Sequence, residues 1–553
     1  MTDLDVRPDG PGSRRVPGSV RGGLLGLGVF VAMVLLGLDR PVNVRDEVWL
    51  LWLSDRVGRG EVMYRDAYNV TTPLAAWVLA GLVRVFGTEV LVLRLATAAV
   101  LTAEVLVGLA VVRRLGMRVG GQVVFVLALC AVATPAVAWI SLYSALAVLG
   151  GLVALAATLA WVRDGSTRAP FVVGVAGALS VLAKPNVGAL GAVAVLVTAV
   201  VFAARADPTR RRAVMTDLGR MAATALGVYV VAAVVVVAGG AGPAFVDQVI
   251  RSKGAYLDVG FGYGEALRNR IDILLDGTVP RDGRLLLRTL VQATPVVVVP
   301  LLVWGAVRAR RAPAPVVVAL VASTVAGLLA VMPRPGINHF ASVLPWVATG
   351  LAGVWTVALR SRPAGNRAAR VARPVLAAGA VVAALAVVAA VGPLVGPERR
   401  AAFGWNTAHF VGAPLRGSQA GSAARLGAAL RARGANVVFI AREDAGFLYL
   451  RTGTTNPLPY DYVERSDLGH ADEPGVIARL RRGEAEWVCL HPPRPPAKAD
   501  DPLVPRRLEA WVRAEFEPVA ELPRCDLYRA PAGGSAGGSA GGSARGSAGG
   551  PAT

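Results

Sequence analysis

Leu24-Leu25-Gly26-Leu27-Gly28-Val29-Phe30-Val31-Ala32-Met33-Val34-Leu35-Leu36-Gly37-Leu38 carries no charged side chain. Arg14, Arg15 and Arg21 precede it, and Asp39-Arg40 closes it. A bilayer asks for roughly 20 apolar residues per spanning helix, and this run with its flanks approaches that length. The charges before it suit the start of a cleaved leader, but no small-residue cleavage site follows and further apolar runs do. The segment therefore reads as a retained span.

The same pattern recurs along the chain. Apolar blocks fall at 23–38, 89–112, 121–137, 142–162, 170–183, 187–204, 221–240, 290–307, 315–332, 339–359 and 374–396. The expected fold is a polytopic α-helical membrane protein with about eleven transmembrane helices. Every second loop is rich in arginine. Arg7, Arg14, Arg15 and Arg21 precede the first span. Arg113, Arg114 and Arg118 follow the second, and Arg163 and Arg168 the fourth. Arg205, Arg210, Arg211, Arg212 and Arg220 follow the sixth, Arg308, Arg310 and Arg311 the eighth, and Arg360, Arg362, Arg367, Arg370 and Arg373 the tenth. Positive loops stay cytoplasmic. This predicts a cytoplasmic tail at 1–22, a transmembrane domain over 23–396, and a chain that ends outside the cytoplasmic membrane.

Composition agrees with that division. Only 17% of residues are charged, against about a quarter in soluble domains. The net charge of +21 comes almost wholly from arginine, with Lys184, Lys253 and Lys498 the only lysines. Because the arginines cluster in membrane-facing loops, the excess argues for a lipid bilayer and against nucleic acid as partner. After Gly396 the composition turns soluble. Helix and strand signals alternate over 397–530: a helix at Ser418–Arg433, strands at Val437–Ile440 and Trp487–Leu490, and strands again near Pro518–Leu522 and Asp526–Arg529. A small extracytoplasmic α/β domain is expected. From 531 to 553 a Gly-Gly-Ser-Ala repeat has nothing to bury and reads as a disordered tail. Cys489 and Cys525 lie in the outer region, and the spacing leaves their pairing open.

Two outer loops are long, 39–88 and 241–289. The first holds Arg45-Asp46-Glu47-Val48-Trp49, Tyr64-Arg65-Asp66, Thr71-Thr72-Pro73-Leu74, Phe86-Gly87 and Leu93-Arg94-Leu95. An acidic pair beside a span is costly unless solvated or used. On charge placement alone, Asp46 and Glu47 read as solvated loop residues.

The ordered set resembles the first loop of the polyprenyl-phosphate-sugar-dependent glycosyltransferases of the GT-C superfamily, the glycosyltransferase 39 and protein mannosyltransferase type. Leu182-Ala183-Lys184-Pro185, Asn338-His339-Phe340 with Leu344-Pro345, and Phe447-Leu448-Tyr449-Leu450-Arg451-Thr452-Gly453 extend the resemblance. Two departures stand out: Thr72 where some relatives carry a lysine or histidine, and Tyr143-Ser144 where relatives often carry an aspartate. The resemblance implies transfer of a sugar, with inversion, from a polyprenyl-phosphate donor to a hydroxyl of a glycan, glycolipid or protein. It implies Asp46 as the base with Glu47 supporting it, and Asp66 with Tyr64 orienting the acceptor. Lys184, Arg334 and His339 would hold the donor phosphate, with Arg65, Arg251 and Lys253 as further candidates.

Blander readings stand beside these. Lys184 can snorkel to headgroups, His339 can pack or cap, and Arg251 and Lys253 can form a solvated or lipid-facing surface. No ligand spacing calls for a metal, although a divalent cation is used by some of the superfamily. The alternatives to an enzyme are a transporter or flippase for a lipid-linked substrate and a non-catalytic membrane subunit. A transporter predicts ionisable residues inside spans, and Glu104 is the exception to their scarcity here.

Overall fold

The computed structural model describes residues 18–38, 41–132, 138–251, 262–276, 283–361, 403–404, 408–410, 415–461, 465–492 and 505–531. The expected span 374–396, Lys253 and the repeat beyond 531 lie outside them. The chain divides into two compact units. The first comprises Met1–Gly60, Thr71–Gly242 and Gly260–Gly417, and the second Glu61–Val70, Pro243–Val259 and Ser418–Thr553.

The first unit is helical: α1 Gly18–Leu38, α2 Asp46–Gly58, α3 Leu74–Phe86, α4 Val90–Arg114, α5 Val119–Val132, α6 Leu142–Asp164, α7 Ala169–Ala183, α8 Pro185–Ala204, α9 Pro208–Ala238, α10 Tyr263–Asp276, α11 Gly283–Gln292, α12 Thr294–Arg308, α13 Ala314–Leu329 and α14 Ile337–Arg360. Each expected span from 23–38 to 339–359 coincides with one of these helices. Among the described residues, α4, α6, α8, α9 and α14 are long and apolar enough to cross a membrane, and α11 with α12, bent by 50°, would make a sixth. Helices α1, α3, α5, α7 and α13 are shorter apolar helices, so the full count of about eleven crossings is carried only in part. Exposed valines and leucines crowd α8, α9 and α12, including Val193, Leu196, Val200, Val231, Val234, Val237, Val296 and Val303. Apolar surface on that scale is what lipid covers.

Several boundaries depart from the sequence reading for local reasons. The first long loop contains α2 and α3. Asp46 and Glu47 sit in the first turn of α2, where carboxylates favour the positive end of the helix dipole, and Leu50, Leu51 and Leu53 are buried. Its 13 residues are too few to cross a bilayer. Helix α9 starts at Pro208, well before the expected 221. Asp207 accepts from Arg210 N at 2.9 Å and Pro208 occupies the first turn, a strong N-terminal signal. Between α7 and α8, Pro185 bars the preceding residue from helical geometry, and Lys184 is extended at φ −154°, ψ 106°. Of the two glycines expected to allow close packing, Gly174 does so: a Cβ there would meet Met221 O of α9 at 2.5 Å. Gly177 faces open space.

The helices share their two ends. At one, Arg163 at the end of α6 donates to Arg114 O at the end of α4, and Arg360 at the end of α14 donates to Leu115 O. These are loops the sequence marks as arginine-rich. The opposite end gathers the end of α1 and the starts of α2, α4, α6, α8 and α14.

In the second unit, strands β3 Phe439–Ala441, β4 Trp487–Leu490, β5 Glu517–Leu522 and β6 Cys525–Arg529 form a sheet in the order β3-β4-β6-β5; the two-residue strands β1 Phe403–Gly404 and β2 Leu415–Arg416 precede it in the chain. β3 and β4 are parallel, and the other pairs antiparallel. Helices α15 Gly417–Arg431, α16 Ala445–Thr452, α17 Arg465–Arg481 and α18 Arg506–Glu515 alternate with the strands. The Tyr449 hydroxyl accepts from Ile440 N at 2.8 Å and donates to Val438 O at 3.2 Å, tying α16 to β3. Gly453 ends α16 in the left-handed region at φ 70°, which glycine adopts freely. Cys489 and Cys525, on neighbouring strands, form a disulfide.

Candidate functional site

Two clusters of polar residues lie at the non-arginine end of the first unit. The first is organised by Asn43. Its Oδ1 accepts from Arg45 N and Asp46 N at 3.1 and 3.2 Å. Its Nδ2 donates to Asp46 Oδ2 at 3.0 Å, and its backbone N donates to Glu47 Oε2 at 3.1 Å. Asn43 thus shapes the turn that presents the acidic pair.

The two carboxylates then part. Glu47 is buried, and Arg94 of α4 grips it through Nε–Oε1 at 2.7 Å and Nη2–Oε2 at 3.1 Å. Both side chains are at most 10% exposed. A two-pronged, desolvated pair of this kind fixes geometry and uses up the carboxylate. Asp46 is partly buried. Burial pushes its carboxyl above the usual range, against the opposing pulls of Asn43 and Arg45. A carboxylate that holds its proton more firmly is a better proton acceptor when ionised.

The second cluster centres on Lys184 in the α7–α8 break. Its Nζ donates to Ser144 Oγ at 3.1 Å, lies 3.2 Å from His339 Nδ1 at the start of α14, and sits 5.6 Å from the centre of the Tyr143 ring. An ammonium can only donate, so Nδ1 accepts and the imidazole carries its proton on Nε2. The charges of Lys184 and Arg334 both act on the His339 ring. No carboxylate lies within ion-pair distance of Lys184 among the described residues. The two residues of α6 that contact Lys184, Tyr143 and Ser144, are neutral.

Helix α6 joins the clusters. Trp139, Ile140 and Leu142 line an open groove whose other walls include Met33, Leu93 and the Glu47–Arg94 pair. The next two residues, Tyr143 and Ser144, contact Lys184. The lining is mostly apolar, with Asn43, Glu47, Arg94 and Thr97 among it.

The remaining candidates belong to the second unit. Asp66 Oδ2 accepts from Val62 N at 2.8 Å, and Arg65 bonds both carboxylate oxygens at 2.8 and 2.7 Å. Tyr64 is buried at φ 73°, an uncommon conformation for a bulky residue. It is held by Gln248 Nε2 donating to its carbonyl at 2.7 Å and by Phe245 against its ring at 5.1 Å. Arg251 is 75% exposed and pairs with Asp247. So Lys184, Arg334 and His339 come together, Asp46 and Glu47 lie in the same unit, and Tyr64, Arg65, Asp66 and Arg251 do not. Arg94, Asn43 and Ser144 carry geometry that the sequence reading gave no role. Arg94 had a signal, the Arg-Leu element of the loop pattern. Among the described residues, no three His, Cys, Asp or Glu gather closely enough to hold a metal.

Solved structures share this fold. ArnT from Cupriavidus metallidurans, solved bound to undecaprenyl phosphate, aligns over 94% of this chain and 99% of its own at a TM-score of 0.53 and 16% identity. The arabinofuranosyltransferase AftD from Mycobacteria aligns over 94% of this chain and 40% of its own at a TM-score of 0.50 and 14% identity. No protein-family model and no curated protein matches the sequence. At these identities the likeness is one of fold alone.

Proposed function

We propose that this GT-C chain is a membrane glycosyltransferase that moves a sugar from a polyprenyl phosphate to an acceptor hydroxyl. The observation that carries the reading is one end of a helical unit bearing both a partly buried carboxylate, Asp46, and a lysine–histidine pair with no carboxylate at ion-pair distance among the described residues. A base and an anion site are what displacement at a phosphate-linked sugar demands.

In this reading Asp46 takes the proton of the acceptor hydroxyl. The oxygen attacks the anomeric carbon as the bond from that carbon to the phosphate oxygen breaks. The electron pair leaves on the polyprenyl phosphate, whose charge Lys184, Arg334 and the Nε2–H of His339 stabilise. A single displacement inverts the anomeric centre. Glu47, spent on Arg94, positions Asp46 by holding the first turn of α2. Asp66 shapes its own loop, and Tyr64 is fixed within it. The arginine-rich end faces the cytoplasm of the cell that makes the protein, which sets the site on the outer face of the cytoplasmic membrane. Which sugar moves, and to which glycan, glycolipid or protein, is for substrate profiling to decide.

Asp46→Asn tests the reading directly. Membranes carrying the variant, supplied with a polyprenyl-phosphate sugar, should lose roughly 10²–10⁴-fold in transfer rate, the usual worth of a general base. Undiminished transfer removes Asp46 as the base.

A further inference from the structure

The second unit holds a polar cluster that the proposed transfer does not use. β3 and β4 are parallel, so the chain leaves both strands at one edge of the sheet. β6 runs antiparallel to β4 with Asp526 opposite Leu490, which brings its first residues to the same edge. Ligands of α/β sheets bind outside the carboxyl ends of parallel strands. Here that edge collects Arg442 after β3, His491 after β4, Arg524 before β6, and Asp444 at the start of α16.

The hydrogen bonds leave this group unbalanced. Arg442 Nε donates to Asp444 Oδ1 at 2.8 Å and Nη2 to Oδ2 at 3.4 Å, while Arg524 Nη2 donates to Oδ2 as well. Two guanidinium groups therefore share one carboxylate. Burial works against ionisation of Asp444, but Arg442 and Arg524 outweigh it and hold the carboxyl below its usual range. Asp444 stands at the N-cap of α16, yet its side chain makes no cap hydrogen bond, because its oxygens face the arginines. The positive end of that helix is left without its usual side-chain acceptor.

Two donors point elsewhere. Arg442 is 6% exposed, and its Nη1 is shut from solvent without a hydrogen bond. Arg524 Nε is in the same condition. Arg524 is also held at φ 77°, a strained conformation for a residue with a side chain and one that clusters at binding sites. Other acids at this edge are Glu443, Glu521, which pairs across the strands with Asp526, and Asp526 itself. Burial raises the Asp526 carboxyl, with Arg513 pulling the other way, and Arg513 itself donates to His491 O at 3.0 Å.

We propose that this edge of the second unit is an oxyanion-binding site, in which Arg442 Nη1, Arg524 Nε and the uncapped start of α16 hold a phosphate or carboxylate group. Its source as a charged substituent on the acceptor rests on the glycosyltransferase reading; the binding itself does not.

The test uses the full-length protein in detergent, in phosphate-free buffer at fixed ionic strength. Inorganic phosphate and glucuronate are titrated separately by calorimetry into wild type, Arg524→Gln and Arg442→Lys. Saturable binding of either probe that weakens at least tenfold in Arg524→Gln, with its melting temperature unchanged, supports the site. Phosphate alone would identify a phosphate-bearing ligand, and glucuronate alone a uronate. Absent saturable binding, or binding equally tight in both variants, overturns it. Signal unaffected by both variants belongs to the Lys184 cluster and counts against it too. Sugar transfer by wild type is measured in parallel. Arg524-dependent binding without transfer overturns the enzymatic reading and leaves this site standing, and transfer without such binding does the reverse.

Discussion

Asp46 and Glu47 are adjacent in sequence and opposite in circumstance. Glu47 is engaged by a buried arginine, whereas Asp46 makes no ion pair with Arg94 and its partial burial pushes its carboxyl above the usual range. A base must be ionised to act, so activity falls as pH drops through its folded pKa. Because burial raises that pKa, the acid limb of kcat/KM should lie above the pH at which an ordinary aspartate protonates. A pH profile of transfer checks this, and an acid limb at the ordinary carboxylate value would count against Asp46. Arg94→Ala should act differently. It strands a buried charge, and removing one partner of such a pair costs about 3–5 kcal/mol. Thermal melts should show that loss, and Glu47→Gln should retain more activity than Asp46→Asn. Glu104 is fully buried in α4 with neither carboxyl oxygen hydrogen-bonded, and nothing in the structure explains it.

Elements were legible where composition alone decides them. Helices within 23–38 to 339–359 stood out because apolar runs in a charge-poor chain favour helices, while only five or six of them are long enough to cross a membrane. The strands of the second unit stood out because β-branched and aromatic runs end at polar turns. Helix α2 was hidden because it is short and charged, and α3 because its 13 apolar residues fall short of a span. The pairing of Glu47 with Arg94 was hidden because the partners are 47 residues apart, and no local pattern encodes such a contact. The clustering of Lys184 with His339 was suggested only by resemblance, since their approach depends on the α7–α8 break. Packing between elements was half legible. Gly174 and Gly177 look alike in sequence, but only Gly174 faces a neighbouring backbone. Gly174→Val should therefore cost about 1–3 kcal/mol through overpacking against α9. Gly177→Ala should be neutral or gain up to about 1 kcal/mol of helix propensity. Thermal melts of the two variants in one detergent give the comparison.

At the scale of the whole molecule, the chain combines a unit built for lipid with one built for water, and its cysteines report on where the second unit folds. Cys489 and Cys525 are 36 residues apart in sequence and join β4 to β6. Such a bond persists only where the compartment is oxidising. Closing a loop of that size is worth about 4 kcal/mol in the chain-entropy account, a large share of the stability of a small domain. The orientation proposed from the arginine loops and this disulfide therefore stand or fall together. An alkaline phosphatase joined after Pro531 should be active in intact cells, and protein alkylated on lysis should migrate as the disulfide form on a non-reducing gel. Cys489→Ser/Cys525→Ser should melt at a lower temperature, while Cys130→Ser should leave the gel migration unchanged. An inactive fusion together with free thiols at 489 and 525 would place the second unit in the cytoplasm, and the site at the start of α2 with the opposite membrane face from the one proposed.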